Sequence, residues 1–174
     1  MKIAVPTIPF VLLAVAAPAF AADAPAAAKK PGKADAFSVN ASDIKWDAAP
    51  PDLPKGAEMT GLHGDPSKKG VFTARLKMPT GYKIPPHWHS RDEQLTIVAG
   101  SLVLHMGDTM EAPATTLAAG GFHFLPGKSH HAAETTEETI VQINGMGPFD
   151  IHYLNPADNP NPKTAAAAKK AAAP

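Results

Sequence analysis

Short runs of alternating or β-branched residues, each closed by a turn signal, recur along the middle of the chain. Residues 57–63 end at Gly64-Asp65-Pro66, 71–78 at Pro79-Thr80-Gly81, 93–99 at Gly100 and 101–106 at Gly107-Asp108. Within 93–99, Leu95, Ile97 and Ala99 share a face, the period of a half-buried strand. Residues 121–125 end at Pro126-Gly127, and 149–154 close the series. The runs 132–134 and 139–144 are expected to pair across the polar turn between them. Further short strands are expected near Ile44 and Met59. Such strands, roughly every ten to twelve residues and with no helical period, predict an all-β sandwich or barrel. Residues 43–158 are enough for one core and no more.

The two ends have another composition. Lys2, the apolar stretch 8–17 and the small-x-small triplet Ala19-Phe20-Ala21 form a signal-peptide pattern, predicting cleavage near Ala21. Broken by Pro9, with Pro6 and Pro18 beside it, that stretch is too short for the roughly 20 residues of a membrane span. The charged start is of a bacterial kind, so the expected destination is the periplasm. Residues 22–42 and 159–174 are dominated by Ala, Pro and Lys and are expected to be a disordered arm and tail, solvated rather than packed.

Charge and cysteine content narrow the partners. The formal net charge is zero, yet residues 43–158 carry nine Lys or Arg against fourteen Asp or Glu, a balance of −5. An acidic body without a basic stripe argues against nucleic acid. With no cysteine, disulfides and thiolate ligation are excluded, so any metal must be held by nitrogen and oxygen.

One stretch offers such donors. It runs Gly81, five residues, His87, Trp88, His89, three residues, Glu93, six residues, Gly100. On extended chain His87 and His89 leave the same face, and Pro85 and Pro86 hold the approach extended. A second stretch, Gly120, five residues, Pro126, four residues, His131, reads as strand, turn and returning strand. A lone His-x-His is a weak signal; the joint spacing with Glu93 and His131 is specific. Three imidazoles and one carboxylate suit Fe(II), Mn(II), Ni(II), Zn(II) or Cu(II) rather than Ca(II) or Mg(II).

The two stretches resemble the paired motifs of the cupin superfamily. The first matches without departure; in the second, Gly120, Pro126 and His131 match, Lys128 stands where the motif has glycine, and Thr135 where it has asparagine. Gly127 is expected to move the turn's flexibility by one residue. Further segments, among them Ile44-Lys45-Trp46, residues 84–89, residues 145–149 and residues 155–158, resemble small secreted cupins. These are similar to the cupin domain of an anti-sigma factor and to small cupin dioxygenases. The resemblance implies a double-stranded β-helix, or jelly-roll barrel, with one divalent metal ion on His87, His89, Glu93 and His131. It further implies a small-molecule ligand and a homodimer. In the enzymatic reading, dioxygenase-like or proton-transfer chemistry acts on an oxygen-chelating substrate, with Glu93 as catalytic base. The alternative is a non-catalytic metal or small-ligand binding module. A metal-free sugar-nucleotide epimerase is disfavoured by the complete donor set.

The other polar residues read more plainly. His130 precedes His131 and is expected on the opposite face, though it is the substitute ligand if the register slips by one. His105 and His123 are expected to be packed or exposed strand histidines, and His63 and His152 carry no motif. Gln142, on the face of Ile140 and Asn144, is either a satisfied barrel amide or a hydrogen-bond partner for a bound ligand. Trp88 and Phe149 are expected core or pocket aromatics, and Arg75 is expected outside the barrel.

Overall fold

The computed structural model describes residues 35–165, so the signal-peptide reading and most of the arm and tail lie outside the described residues. The strands are β1 (Asp47–Ala48), β2 (Glu58–His63), β3 (Gly70–Met78), β4 (Lys83–Trp88), β5 (Glu93–Ala99), β6 (Ser101–Met106), β7 (Ala114–Ala118), β8 (Phe122–Leu125), β9 (His131–Thr135), β10 (Thr139–Gly147) and β11 (His152–Tyr153). They form a six-stranded sheet, β1-β2-β3-β10-β5-β8, and a five-stranded sheet, β11-β4-β9-β6-β7. Every pairing is antiparallel.

Alternation builds the core between the sheets. Ala74, Leu76 and Met78 of β3, Leu95 and Ile97 of β5, and Val141 and Ile143 of β10 face inward from the larger sheet. Ile84 of β4, Leu102 and Leu104 of β6, and Ala133 of β9 answer from the smaller one. Each fully buried large aliphatic side chain contributes about 1.5–3 kcal/mol. Gly100 turns the chain from one sheet to the other at φ +72, and a Cβ there would strike the Glu138 carbonyl, so no other residue fits.

Two expectations are corrected, and the open alternative at Gln142 is decided for the satisfied amide. Residues 132–134 and 139–144 do not pair with each other: β9 lies between β4 and β6, whereas β10 lies between β3 and β5. Local sequence shows two adjacent strands and a turn, but partner choice follows which sheet buries each face. Gln142 does not reach the barrel interior. Val141 and Ile143 point in, and Gln142 accepts a hydrogen bond from Arg75 Nε at 3.2 Å on the outer face. Trp88 is also outside, half-buried and stacked on His152 with ring centroids 4.1 Å apart.

The departures from the second motif find their reason here. Lys128, at φ 67, takes the left-handed conformation that glycine would adopt, while Gly127 does not have positive φ. The turn's conformational demand therefore stays at 128, against the expected shift to 127. Gly127 is needed for closeness: its N–H donates to Asp92 Oδ1 at 2.8 Å, and a Cβ would lie 3.1 Å from the Ser90 carbonyl oxygen. Thr135 takes over a buried polar role, accepting from Tyr82 N and donating to Pro79 O at 2.6 Å. Lys128→Gly should raise unfolding stability by about 1 kcal/mol, the left-handed penalty less glycine's entropy cost, as read by urea denaturation. A loss of stability would contradict that account of the turn.

Candidate metal centre

Three strands meet at one end of the barrel. β4 ends at Trp88 and brings in His87, with His89 just beyond; β5 begins with Glu93; β9 begins with His131. His87 and His131 are direct cross-strand partners. Simple alternation from Ile84 would turn His87 outward. Between Ile84 and His87 the register with β9 shifts, three steps on β4 facing two on β9, so both residues are buried. Pro85 and Pro86 sit in this irregularity, where their missing N–H groups cost no ladder bond. The double proline thus sets the inward face of the His-x-His pair.

A ligand nitrogen from each of His87, His89 and His131 lies within 4.8 Å of the other two, and all three residues are buried. The Glu93 carboxylate lies beside two of them, Oε2 being 3.5 Å from His89 Nε2 and 3.7 Å from His131 Nε2, while the mutually close group is the three imidazoles alone. Each imidazole is held from behind by a backbone carbonyl. His87 Nδ1 donates to Pro85 O at 2.7 Å, His89 Nδ1 to Asp150 O at 2.5 Å, and His131 Nδ1 to Ser129 O at 3.0 Å. With Nδ1 carrying the proton, every Nε2 presents a lone pair, the tautomer a metal requires.

Burial favours the neutral form throughout. It lowers the proton affinity of all three imidazoles, that of His87 furthest, and His131 and His89 lower His87 further. It pushes the Glu93 carboxyl up to about 7, partly opposed by His131. Proton-free nitrogens beside an ionisable carboxyl are the form in which such a cluster accepts a cation. This donor set fits a borderline divalent ion.

The remaining histidines stand apart. His130 is exposed and contacts Asp108 Oδ1 at 2.7 Å. His105 is buried behind the smaller sheet, between Ala112 O at 3.2 Å and Glu134 Oε1 at 3.3 Å. His152 is exposed, with Nε2 2.9 Å from Asp150 Oδ2. His123 is half-buried on β8, and His63 is exposed at the end of β2.

The cluster opens into a cavity of about 330 Å³. Phe149 lines it and stacks on the His89 ring at 4.4 Å, a pocket wall rather than a core filler. Pro50, Asp52 and Leu53 line it as a strap. Tyr82 Oη donates to Pro54 O at 2.5 Å and Tyr153 Oη to Asp52 O at 2.7 Å, fastening the strap to the barrel. Sequence patterns do not reveal the strap or the carbonyls behind the imidazoles. Backbone acceptors leave no residue signature, and the strap's contacts span up to 112 positions.

The fold is the cupin double-stranded β-helix, and the residues of the two motifs meet in this histidine cluster. A family model described as a domain of unknown function, DUF4437, matches residues 15–152, and the chain belongs to that family. No curated protein matches by sequence. Among solved structures, the polyketide cyclase RemF of Streptomyces resistomycificus is 15% identical with a TM-score of 0.62, over 72% of this chain and 90% of that one. A Methylibium petroleiphilum protein provisionally assigned as an acetylacetone dioxygenase is 20% identical with a TM-score of 0.57, over 75% and 89%. KdgF of a Halomonas species is 18% identical with a TM-score of 0.50, over 65% and 94%. At these identities the likeness establishes the fold.

Proposed function

We propose that the protein is a mononuclear metal-dependent cupin enzyme acting on a small, oxygen-chelating organic molecule. The observation that carries this reading is the set of three Nδ1–H···O=C hydrogen bonds, which turn three buried Nε2 atoms toward one another beside Glu93 and a cavity. His87, His89, Glu93 and His131 would hold Fe(II), Mn(II), Ni(II), Zn(II) or Cu(II). Such an ion supplies Lewis acidity and, if redox-active, a route to dioxygen chemistry. The chain's own residues do the rest. The strap and the apolar walls would shape the space into which the substrate's body fits. Phe149 fixes the His89 ring plane. Glu93 Oε2 stands where it could take a proton from a carbon next to a carbonyl, the C–H electron pair passing to that carbonyl oxygen. The cyclase and the provisional dioxygenase support an enzymatic reading by fold analogy alone.

The test is to load the protein with each ion in turn and supply β-dicarbonyl or phenolic substrates, recording oxygen uptake and substrate-proton exchange. Metal-dependent turnover by either readout is expected. Stoichiometric metal with neither activity across such a panel would favour the second reading, a non-catalytic binding module.

The domain is proposed to span residues 43–158, behind a signal peptide of residues 1–21 and an arm of residues 22–42, with a tail at 159–174. Among the described residues no helix is long and apolar enough to cross a membrane. The leader pattern supports a periplasmic location, and N-terminal sequencing of the mature protein should begin within two residues of Ala22. A mature chain still starting at Met1 would overturn it. A homodimer is proposed as well, supported by the open outer edges of β1 and β8, which a second copy could cover.

A further inference from the structure

We infer that the pocket selects a molecule with one oxygen-bearing polar head and an apolar body, and rejects molecules carrying a second charge. This rests on the proposed metal-dependent reading for the head and on the cavity wall alone for the body.

Besides the four site residues, the cavity's polar side chains are Asp52, Asp150 and Ser67, whose hydroxyl donates to Asp65 Oδ1 at 2.7 Å. Away from His87, His89, Glu93 and His131, the wall is made by side chains such as Leu76, Ile84, Leu102, Leu104 and Val141. No Lys or Arg lines it among the described residues. The two other acidic lining residues are committed elsewhere. Asp52 Oδ1 accepts from Asn161 Nδ2 at 3.1 Å and Thr164 Oγ1 at 2.5 Å. Asp150 accepts from Ser90 N at 2.7 Å and Ser90 Oγ at 2.6 Å. A phosphate, dicarboxylate or sugar acid would therefore bury its second charge with no counter-charge and few donors, which is prohibitive in such surroundings. A hydrocarbon body meets mainly apolar surface. The volume, about 330 Å³, is at the lower end of ligand pockets and limits the guest to a small molecule. Beside the cluster Phe149 lies nearly parallel to the His89 ring, at 21°, and its centroid is 5.2 Å from that of Phe72. That aromatic wall suits a flat head such as an enol or a phenol.

The experiment has two arms, both read as binding by calorimetry. In the first, metal-stripped protein is titrated with toluene, ethylbenzene and butylbenzene. Saturable binding is expected, tightening about threefold to fourfold per methylene until the cavity is full. Ala133→Leu, which adds volume inside the cavity, should weaken butylbenzene at least about tenfold while metal content stays unchanged. Leu104→Ala, which enlarges the cavity, should shift the optimum to a longer chain. Agreement between the two variants guards against one of them failing to fold. In the second arm, zinc-loaded protein is titrated with 2,4-pentanedione, its longer alkyl homologues and citrate. The diketones should bind more tightly as they lengthen, and citrate at least about 100-fold more weakly than the longest diketone that fits. Absence of alkylbenzene binding, or citrate binding as tightly as the diketones, would overturn the inference. If the chain takes up no metal yet binds alkylbenzenes, the apolar-body inference stands and the metal reading fails.

Discussion

His131→Ala should lower metal affinity by about 10²–10³-fold, whereas His130→Ala should change it by no more than about twofold. A four-donor site supplies about 10–16 kcal/mol, or roughly 3–4 kcal/mol per donor, and one missing imidazole forfeits that share. His131 is buried at 3% exposure, its Nδ1 held by Ser129 O and its Nε2 facing Glu93. His130 points the other way and pairs with Asp108 at the surface, where a substitution is worth within about 0.5 kcal/mol. The contrast concerns adjacent residues of one chain segment, so general damage to the fold cannot imitate it. Metal content after equilibration against a competing chelator decides the matter. If His130→Ala empties the site and His131→Ala leaves it filled, the ligand set is His87, His89, Glu93 and His130.

Glu93→Gln should stabilise the metal-free protein above pH 7 and destabilise the metal-loaded one. Burial raises the Glu93 carboxyl from 4.5 to about 7, so the folded state holds its proton more tightly than the unfolded chain does. That contribution is fully favourable below about 4.5 and is lost as pH rises through about 7, a change on the order of 3 kcal/mol. Glutamine cannot ionise and escapes the loss. The imidazoles act with the opposite sign. Their folded-state values lie below 6.5, so the unfolded chain takes up protons first and stability falls as pH drops below about 6.5. The metal-free wild type should therefore be weakened on both sides of a maximum in mildly acidic solution, and Glu93→Gln should keep only the acid limb. A bound ion reverses the comparison, because it compensates the carboxylate that glutamine lacks. Urea unfolding at pH 5, 6.5 and 8, with and without chelator, reads all of this. A metal-free Glu93→Gln no more stable than wild type at pH 8 would contradict the account of the buried carboxyl.

The strands that alternate strongly are legible in the sequence. β3, β5, β6 and β10 each repeat large apolar residues at every second position, which is also how they are buried. The phase of β10 is not legible, because Ile140 on its outer face is as apolar as Val141 and Ile143 within. β4 contains Pro85-Pro86, which has the look of a linker, and only the register shift beside β9 accommodates it in a strand. β7 offers Thr115 and Thr116 to solvent and almost nothing to the core, so no pattern marks it. The candidate site is more legible than the strands around it. His87, His89, Glu93 and His131 occupy fixed distances from turn glycines and prolines; the fold gathers the three histidines and sets Glu93 against His89 and His131. The apolar cavity and its strap depend on which distant residues face one another, as Tyr153 and Asp52 do. Spacing along the chain carries no trace of that.

The central claim is that these four side chains bind one metal ion. Its most direct test is anomalous diffraction from crystals of protein purified without chelator, collected at the absorption edge of whichever transition metal elemental analysis finds. One strong peak is expected per chain, in contact with Nε2 of His87, His89 and His131 and with the Glu93 carboxylate. A peak at His105 and Glu134 or at His130 and Asp108 instead, or protein that takes up no transition metal at all, would contradict it.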